Sequence, residues 1–166
     1  YDVAKAQYSA IKVSGDSLIG VGVAGSRLFV TDSATSRVLC LDLKGRVLWT
    51  VGSKEGLLRP TGLVVGNDHV YVIDTVGNRV VVLTFAGAVV SFFGERGDGP
   101  GQFNFPTNLA RAANGDLYVT DAMNFRVQVF SSTGTFLRQF GTFGTGRGQF
   151  QWPFDLEVDE SGLGGM

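Results

Sequence analysis

The sequence is short of cysteine, histidine and charge, and each shortage removes a class of protein. A single cysteine, Cys40, rules out an internal disulfide and leaves the compartment open. The one histidine, His69, has no second His or Cys beside it, so it reads as a turn residue ahead of a strand, not a metal ligand. No stretch approaches the ~20 apolar residues of a membrane-spanning helix. Charged residues make up 17% and the net charge is −1, which leaves neither a basic field to gather nucleic acid nor an acidic tail. There is no Gly-x-Ser-x-Gly, no His pair and no carboxylate cluster to carry hydrolytic chemistry. The chain begins at Tyr1 with no signal-peptide pattern, as expected of a mature form, a fragment or a trimmed chain.

What is abundant is glycine, 24 residues in 166, with 44% hydrophobic content, the composition of an all-β chain with many tight turns. From Phe105 to Phe140 four short runs rich in Val, Leu, Tyr and Phe stand between turn clusters: Asn108–Arg111, Leu117–Thr120, Arg126–Phe130 and Phe136–Phe140. Four such strands form a small antiparallel meander, too thin to bury both faces by itself.

The same landmarks recur three times. An Asp closing the second strand is Asp32, Asp74 and Asp121, at intervals of 42 and 47, and an Arg follows five residues later as Arg37, Arg79 and Arg126. Gly52, Gly94 and Gly141 end the last strand, each 20 residues after its Asp, and Pro60, Pro106 and Pro153 open the following units. Length varies only between the final Gly and the Pro, in a surface connection. A period of 40-odd residues with four strands per unit is the mark of propeller blades. The expected organisation is an N-terminal strand or closing segment at 1–17 (Tyr8–Val13 its strand), blades at 18–60, 61–106 and 107–153, and the first strand of a fourth, cut short, at 154–166. The first copy has Leu18 in place of the Pro, and Ser36 where Asn78 and Asn124 are expected. The unbroken apolar runs Val70–Ile73 and Val80–Leu83 point to strands dry on both faces, and Cys40, aligned with Val82 and Val129, to a small core residue.

The third copy, with GQFNFPTNL, LYVTDAMNFRVQVF and GTFLRQFG, resembles NHL repeats nearly throughout, and the resemblance runs over roughly Leu18–Gly162. It implies an all-β, partial-ring propeller of NHL type, similar to bacterial six-bladed proteins, with a lean toward the periplasm or cell exterior. An open blade face of about 300 Å² left wet forfeits roughly 7–8 kcal/mol. The expectation is therefore a piece of a longer ring, or a half ring that pairs with another arc or its own copy.

The Asp-x4-Arg pairs recur in every blade, which argues for structure: each Asp is expected to accept backbone N–H bonds in the turn between second and third strands, with the Arg against it. The loops GERGDGPGQF and GTFGTGRGQF brush against phosphate-binding fingerprints but lead into Pro and a strand, not a helix. Phe103 and Phe150 are expected to tuck between blades. No cofactor and no catalytic residue is expected. The leading expectation is a non-enzymatic binding or scaffold module that offers a face to a protein, peptide or glycan, with contacts from Asn78, Arg79, Asn108, Arg111, Asn124, Phe125 and Arg126. The resemblance implies two further readings. One is RNA binding, through Arg79, Arg96, Arg111, Arg126 and Arg147 with Phe125 and Trp152 as stacking platforms; interleaved Glu95, Asp98 and Asp121 weigh against it. The other is part of a metal-dependent six-bladed hydrolase or lyase, with Asn108, Arg111, Asp155 and Glu157 lining the channel.

Overall fold

In the computed structural model, residue 11 and residues 13–158 are described. Three four-stranded antiparallel sheets follow one another along the chain, each a simple meander. The first holds β1 (Leu18–Ala24), β2 (Arg27–Asp32), β3 (Arg37–Asp42) and β4 (Val47–Val51). The second holds β5 (Pro60–Val65), β6 (His69–Asp74), β7 (Arg79–Thr84) and β8 (Val89–Phe93). The third holds β9 (Pro106–Arg111), β10 (Leu117–Asp121), β11 (Arg126–Phe130) and β12 (Phe136–Phe140). A short parallel pair, β13 (Thr142–Phe143) with β14 (Gln149–Phe150), follows.

The sheets stack face to face with their first strands, β1, β5 and β9, innermost and adjacent. One apolar cluster joins the first two blades: Phe29, Val38, Cys40 and Leu57 meet Leu63, Val70, Val72 and Leu83. A second joins the next two through Tyr71, Ile73 and Val80 against Phe103, Leu109, Leu117 and Phe130. Middle strands are therefore covered on both sides, which explains the unbroken apolar runs. Phe103 is fully buried between blades, 5.4 Å from the Phe130 ring.

Each first strand breaks register with its neighbour at the same place, the third residue: Gly20, Gly62 and Asn108. In two blades a threonine takes up the freed amide, Gly20 N–H donating to Thr31 Oγ1 at 2.7 Å and Asn108 N–H to Thr120 Oγ1 at 2.9 Å. Glycine at Gly62 has a steric cause, since an added Cβ would lie 2.9 Å from the Asn108 Cα.

The ends depart from expectation. Residues 154–158, expected to begin the fourth blade's first strand, are not in a ladder, and 159–166 lie outside the described residues. Phe150, Leu156 and Val158 lie against Tyr118, Val127 and Val129 and cover part of the third blade's outer face. The Tyr8–Val13 strand falls mostly outside the described residues; Val13 itself packs on Val30, Leu39 and Leu41 of the first blade without joining a strand.

Candidate binding face

Strand pairing gathers one end of every blade at the same edge. Leu18, Asp32, Arg37 and Val51 meet there in the first sheet, and Pro106, Asp121, Arg126 and Phe140 in the third. Buried at this end are the three recurring aspartates. Their backbone partners are not in the turn after the strand, as expected, but in the segment that enters the same blade. Asp32 Oδ1 accepts the Ser17 N–H (3.2 Å), Asp74 Oδ1 the Arg59 N–H (2.7 Å), and Asp121 Oδ1 the Asn104 N–H (2.7 Å). Each Oδ2 takes its Arg, at 3.1 Å for Arg37, 3.1 Å for Arg79 and 2.8 Å for Arg126. Every blade thus closes its own entry loop with one carboxylate. Burial pushes Asp32 up, but hydrogen bonds from Thr35, Arg37 and the Ser17 and Asp16 amides outweigh it and bring its pKa down to about 2.

Above this frame two positions per blade line the inner rim, and they differ from blade to blade. The residue before each opening Pro is Arg59, Phe105 or Trp152. Beside it stands the left-handed tip of the β2–β3-type turn: Ser36 (φ 52°), Asn78 (φ 51°) and Phe125 (φ 53°). Phe125, not Asn124, is therefore the counterpart of Ser36 and Asn78, a one-residue correction to the expected alignment. In the second and third cases the two positions touch, and in the first the turn tip bonds the residue just before Arg59. Ser36 Oγ donates to the Leu58 carbonyl (2.6 Å), Asn78 Oδ1 accepts the Phe105 N–H (3.0 Å), and the Phe125 ring lies 5.5 Å from Trp152, edge on.

At the third blade this rim becomes aromatic. Phe125 also meets Phe143 at 4.8 Å, and Trp152 stacks on Phe154 at 6.4 Å. Phe143, Trp152 and Phe154 are 63%, 52% and 59% exposed. Below the rim a groove of about 560 Å³ runs along the inner strands, lined by Ile19, Val21, Leu63, Phe105 and Asn108 among others. In it the Asn108 carboxamide donates to Asp155 Oδ1, at the place where the first two blades carry Gly20 and Gly62.

The seven residues singled out in the sequence do not form one surface. Asn78, Asn124 and Phe125 are at the rim and partly exposed. Arg79 reaches outward from Asp74 to the Gly56 carbonyl (2.6 Å) and lies over Phe92. Asn124 donates to the Gly97 carbonyl and to Asp121. Arg126 is buried, its guanidinium fully engaged within the chain. Arg111 sits at the opposite end of the blade, where β9 pairs with Leu117, and its Nη2 donates to Asn67 at 3.3 Å. Sequence reasoning missed Arg59, Phe105, Phe143 and Phe154; the signal for the first two is a fixed position before Pro whose side chain changes from copy to copy, and for Phe143 and Phe154 there is none. Among the described residues no three His, Cys, Asp or Glu side chains converge as metal ligands would.

Residues 103–130 match the family model for the NHL repeat. The chain carries an NHL repeat. Solved structures similar to this chain include β-propellers, and the likeness shows the fold alone. Hydrazine synthase from Kuenenia stuttgartiensis aligns with a TM-score of 0.71 at 15% identity, over 94% of this chain and 43% of its own. The WD40 β-propeller domain of Doa1 gives 0.67 at 16%, over 87% and 45%. A streptogramin B lyase gives 0.62 at 15%, over 77% and 41%. The chain thus spans less than half the length of these proteins. No curated protein matches it in sequence. The protein is a partial β-propeller of four-stranded blades, and no helix among its described residues is long and apolar enough to cross a membrane.

Proposed function

We propose that this propeller segment is a non-enzymatic binding module that takes a protein or peptide partner at the inner rim. The observation that carries the reading is Phe125. A phenylalanine occupies a left-handed turn tip that the other blades give to Asn and Ser, residues better suited to that backbone. The strained placement holds its ring against Phe143 and Trp152 in an exposed aromatic cluster. Exposed, rigid aromatics of this kind are what hot spots at protein interfaces are made of. The identical Asp–Arg frame beneath fixes three rim positions that differ in chemistry, which is the arrangement a site on a repeat scaffold requires. Asn78, Asn124, Phe125, Phe105 and Trp152 are its contacts, Arg79 lies at its outer edge, and Asn108 lines the groove below.

RNA is favoured less because Arg79 and Arg126, two of the five arginines it would need, are bound to Asp74 and Asp121. The streptogramin B lyase among the similar structures keeps an enzymatic role as the rival reading. The test is selection of a random-peptide display library on the immobilised chain, repeated on Phe125→Ser and Trp152→Ser variants with unchanged circular dichroism. A recurring peptide motif lost on both variants supports the rim; a motif kept on both, or none at all, refutes it.

A further inference from the structure

The connection between the second and third blades is gripped from below by the third. Arg126 donates from Nη1 to the Asp98 carbonyl at 2.7 Å and from Nη2 to the Gly99 and Gln102 carbonyls at 2.9 Å each. Two residues on, Gln128 donates to the same Gln102 carbonyl at 2.7 Å and accepts the Gly101 N–H at 2.9 Å.

The next connection repeats the backbone frame of this loop. Gly97 N–H to Phe103 O (2.9 Å) becomes Gly144 N–H to Phe150 O (3.1 Å), and Gln102 N–H to Gly99 O becomes Gln149 N–H to Gly146 O, both 3.1 Å. The Gln102 carboxamide accepting the Gly99 N–H (3.1 Å) becomes Gln149 accepting the Gly146 N–H (2.8 Å). The parallel bridge Arg96–Phe103 becomes Phe143–Phe150. Gly101 and Gly148, the matching left-handed glycines, have φ 78° and 72°. By the same correspondence the carbonyls of Thr145, Gly146 and Gln149 and the Gly148 N–H stand where Arg126 and Gln128 are received in the earlier loop. Among the described residues no side chain donates to those three carbonyls, and every arginine of the sequence lies among the described residues.

We propose that loop 141–150 is a preformed receptor for an arginine guanidinium, with a glutamine carboxamide from two residues further along the same strand seated beside it. The strand that brings them is the third strand of a further four-stranded unit of this repeat, stacked on the outer face of the third blade. Placement supports that occupant: Thr107 Oγ1 reaches the Phe154 carbonyl (3.2 Å) as Thr61 Oγ1 reaches the Thr107 carbonyl (3.0 Å), so the segment after Pro153 already lies beside β9 as β9 lies beside β5. A second copy of this chain is not the donor. Its Arg126 and Gln128 are already seated, and Arg37 and Arg79 have Leu39 and Val81 two residues on. Three fixed carbonyls in a fork suit a planar guanidinium and not an ammonium, whose donors have no such geometry. The proposal is independent of the rim's aromatic cluster.

The test is nuclear magnetic resonance titration of the whole chain with the capped tripeptide arginine–valine–glutamine, then with lysine in place of arginine and with alanine in place of glutamine. The arginine peptide is expected to shift the amides of Gly144, Gly146, Gly148 and Gln149 saturably. The lysine peptide should bind at least about tenfold more weakly, and the alanine peptide should leave the Gly148 amide unmoved. Gln149→Ala, which removes an exposed side chain that orders the loop, should abolish the response with the fold intact. Equal shifts from arginine and lysine, shifts confined to other residues, or a response unchanged in Gln149→Ala would each overturn the proposal.

Discussion

Removing the recurring arginines one at a time should destabilise the protein by unequal amounts, although the three sequence motifs look alike. The Arg126 side chain is 7% exposed and donates to Asp121, three loop carbonyls and the Gln139 carboxamide. Arg79 is 22% exposed and holds Asp74 and one carbonyl, that of Gly56. Arg37 is 33% exposed, with Asp32 and a long contact to the Ser14 carbonyl at 3.3 Å. All three aspartates are fully buried, so each loss leaves a carboxylate short of its cation. What differs is how much water can replace the guanidinium. Breaking a buried pair costs about 3–5 kcal/mol, whereas an exposed pair contributes about 0–1 kcal/mol. Arg126→Ala is therefore expected in the middle of that range, at about 4 kcal/mol. Arg79→Ala should fall near 2 kcal/mol and Arg37→Ala near 1 kcal/mol, between those two limits. Arg126→Lys should recover less than half the loss, because an ammonium cannot span the fork. Urea titration followed by circular dichroism at neutral pH gives the values. Hydrogen exchange at the Gly97, Gly99 and Gly101 amides should speed up in the Arg126 variants alone. Equal losses across the three sites, or the reverse order, would refute the view that loop capture by Arg126 sets its contribution.

Gly62→Ala should destabilise by about 1–3 kcal/mol, because the new Cβ meets Asn108 and the Thr107 carbonyl and must push two inner strands apart; a melting temperature within error of the parent would contradict this. Cys40 is fully buried, and burial pushes its thiol up, with Arg27 lowering it only in part. A thiol-reactive chromogenic disulfide should leave the native chain untouched and titrate one thiol in urea; prompt native reaction would show that the blades separate readily. Asp32 has its pKa lowered from 3.8 to about 2, so its contribution is complete above pH 3.8 and is lost as pH falls through about 2. Asp32→Asn should therefore shrink the loss of stability over that window, measured by urea midpoints at successive pH values; an unchanged acid limb would place the titration elsewhere.

Sequence alone determined the repeat, the strand positions within it, and the burial of Val70–Ile73, Val80–Leu83 and Cys40. It did so because each of those features is local: strands alternate with turn residues at a fixed period, and a core position stays apolar in every copy. It also marked the Asp–Arg pairs as structural, since a group repeated in every blade serves the blade. The partners of those pairs were another matter. Asp121 reaches back 17 residues to the Asn104 amide, and Arg126 reaches 28 residues to the Asp98 carbonyl; only the closed meander sets these groups side by side. For the same reason Arg111 and Arg126, fifteen residues apart in one blade, lie at opposite ends of it, while Phe125 and Trp152, from a turn and a distant loop, share one cluster. Periodicity places a side chain within its unit. Which units' side chains meet is decided by the stacking of the sheets, and the rim and the loop receptor exist only at those meetings.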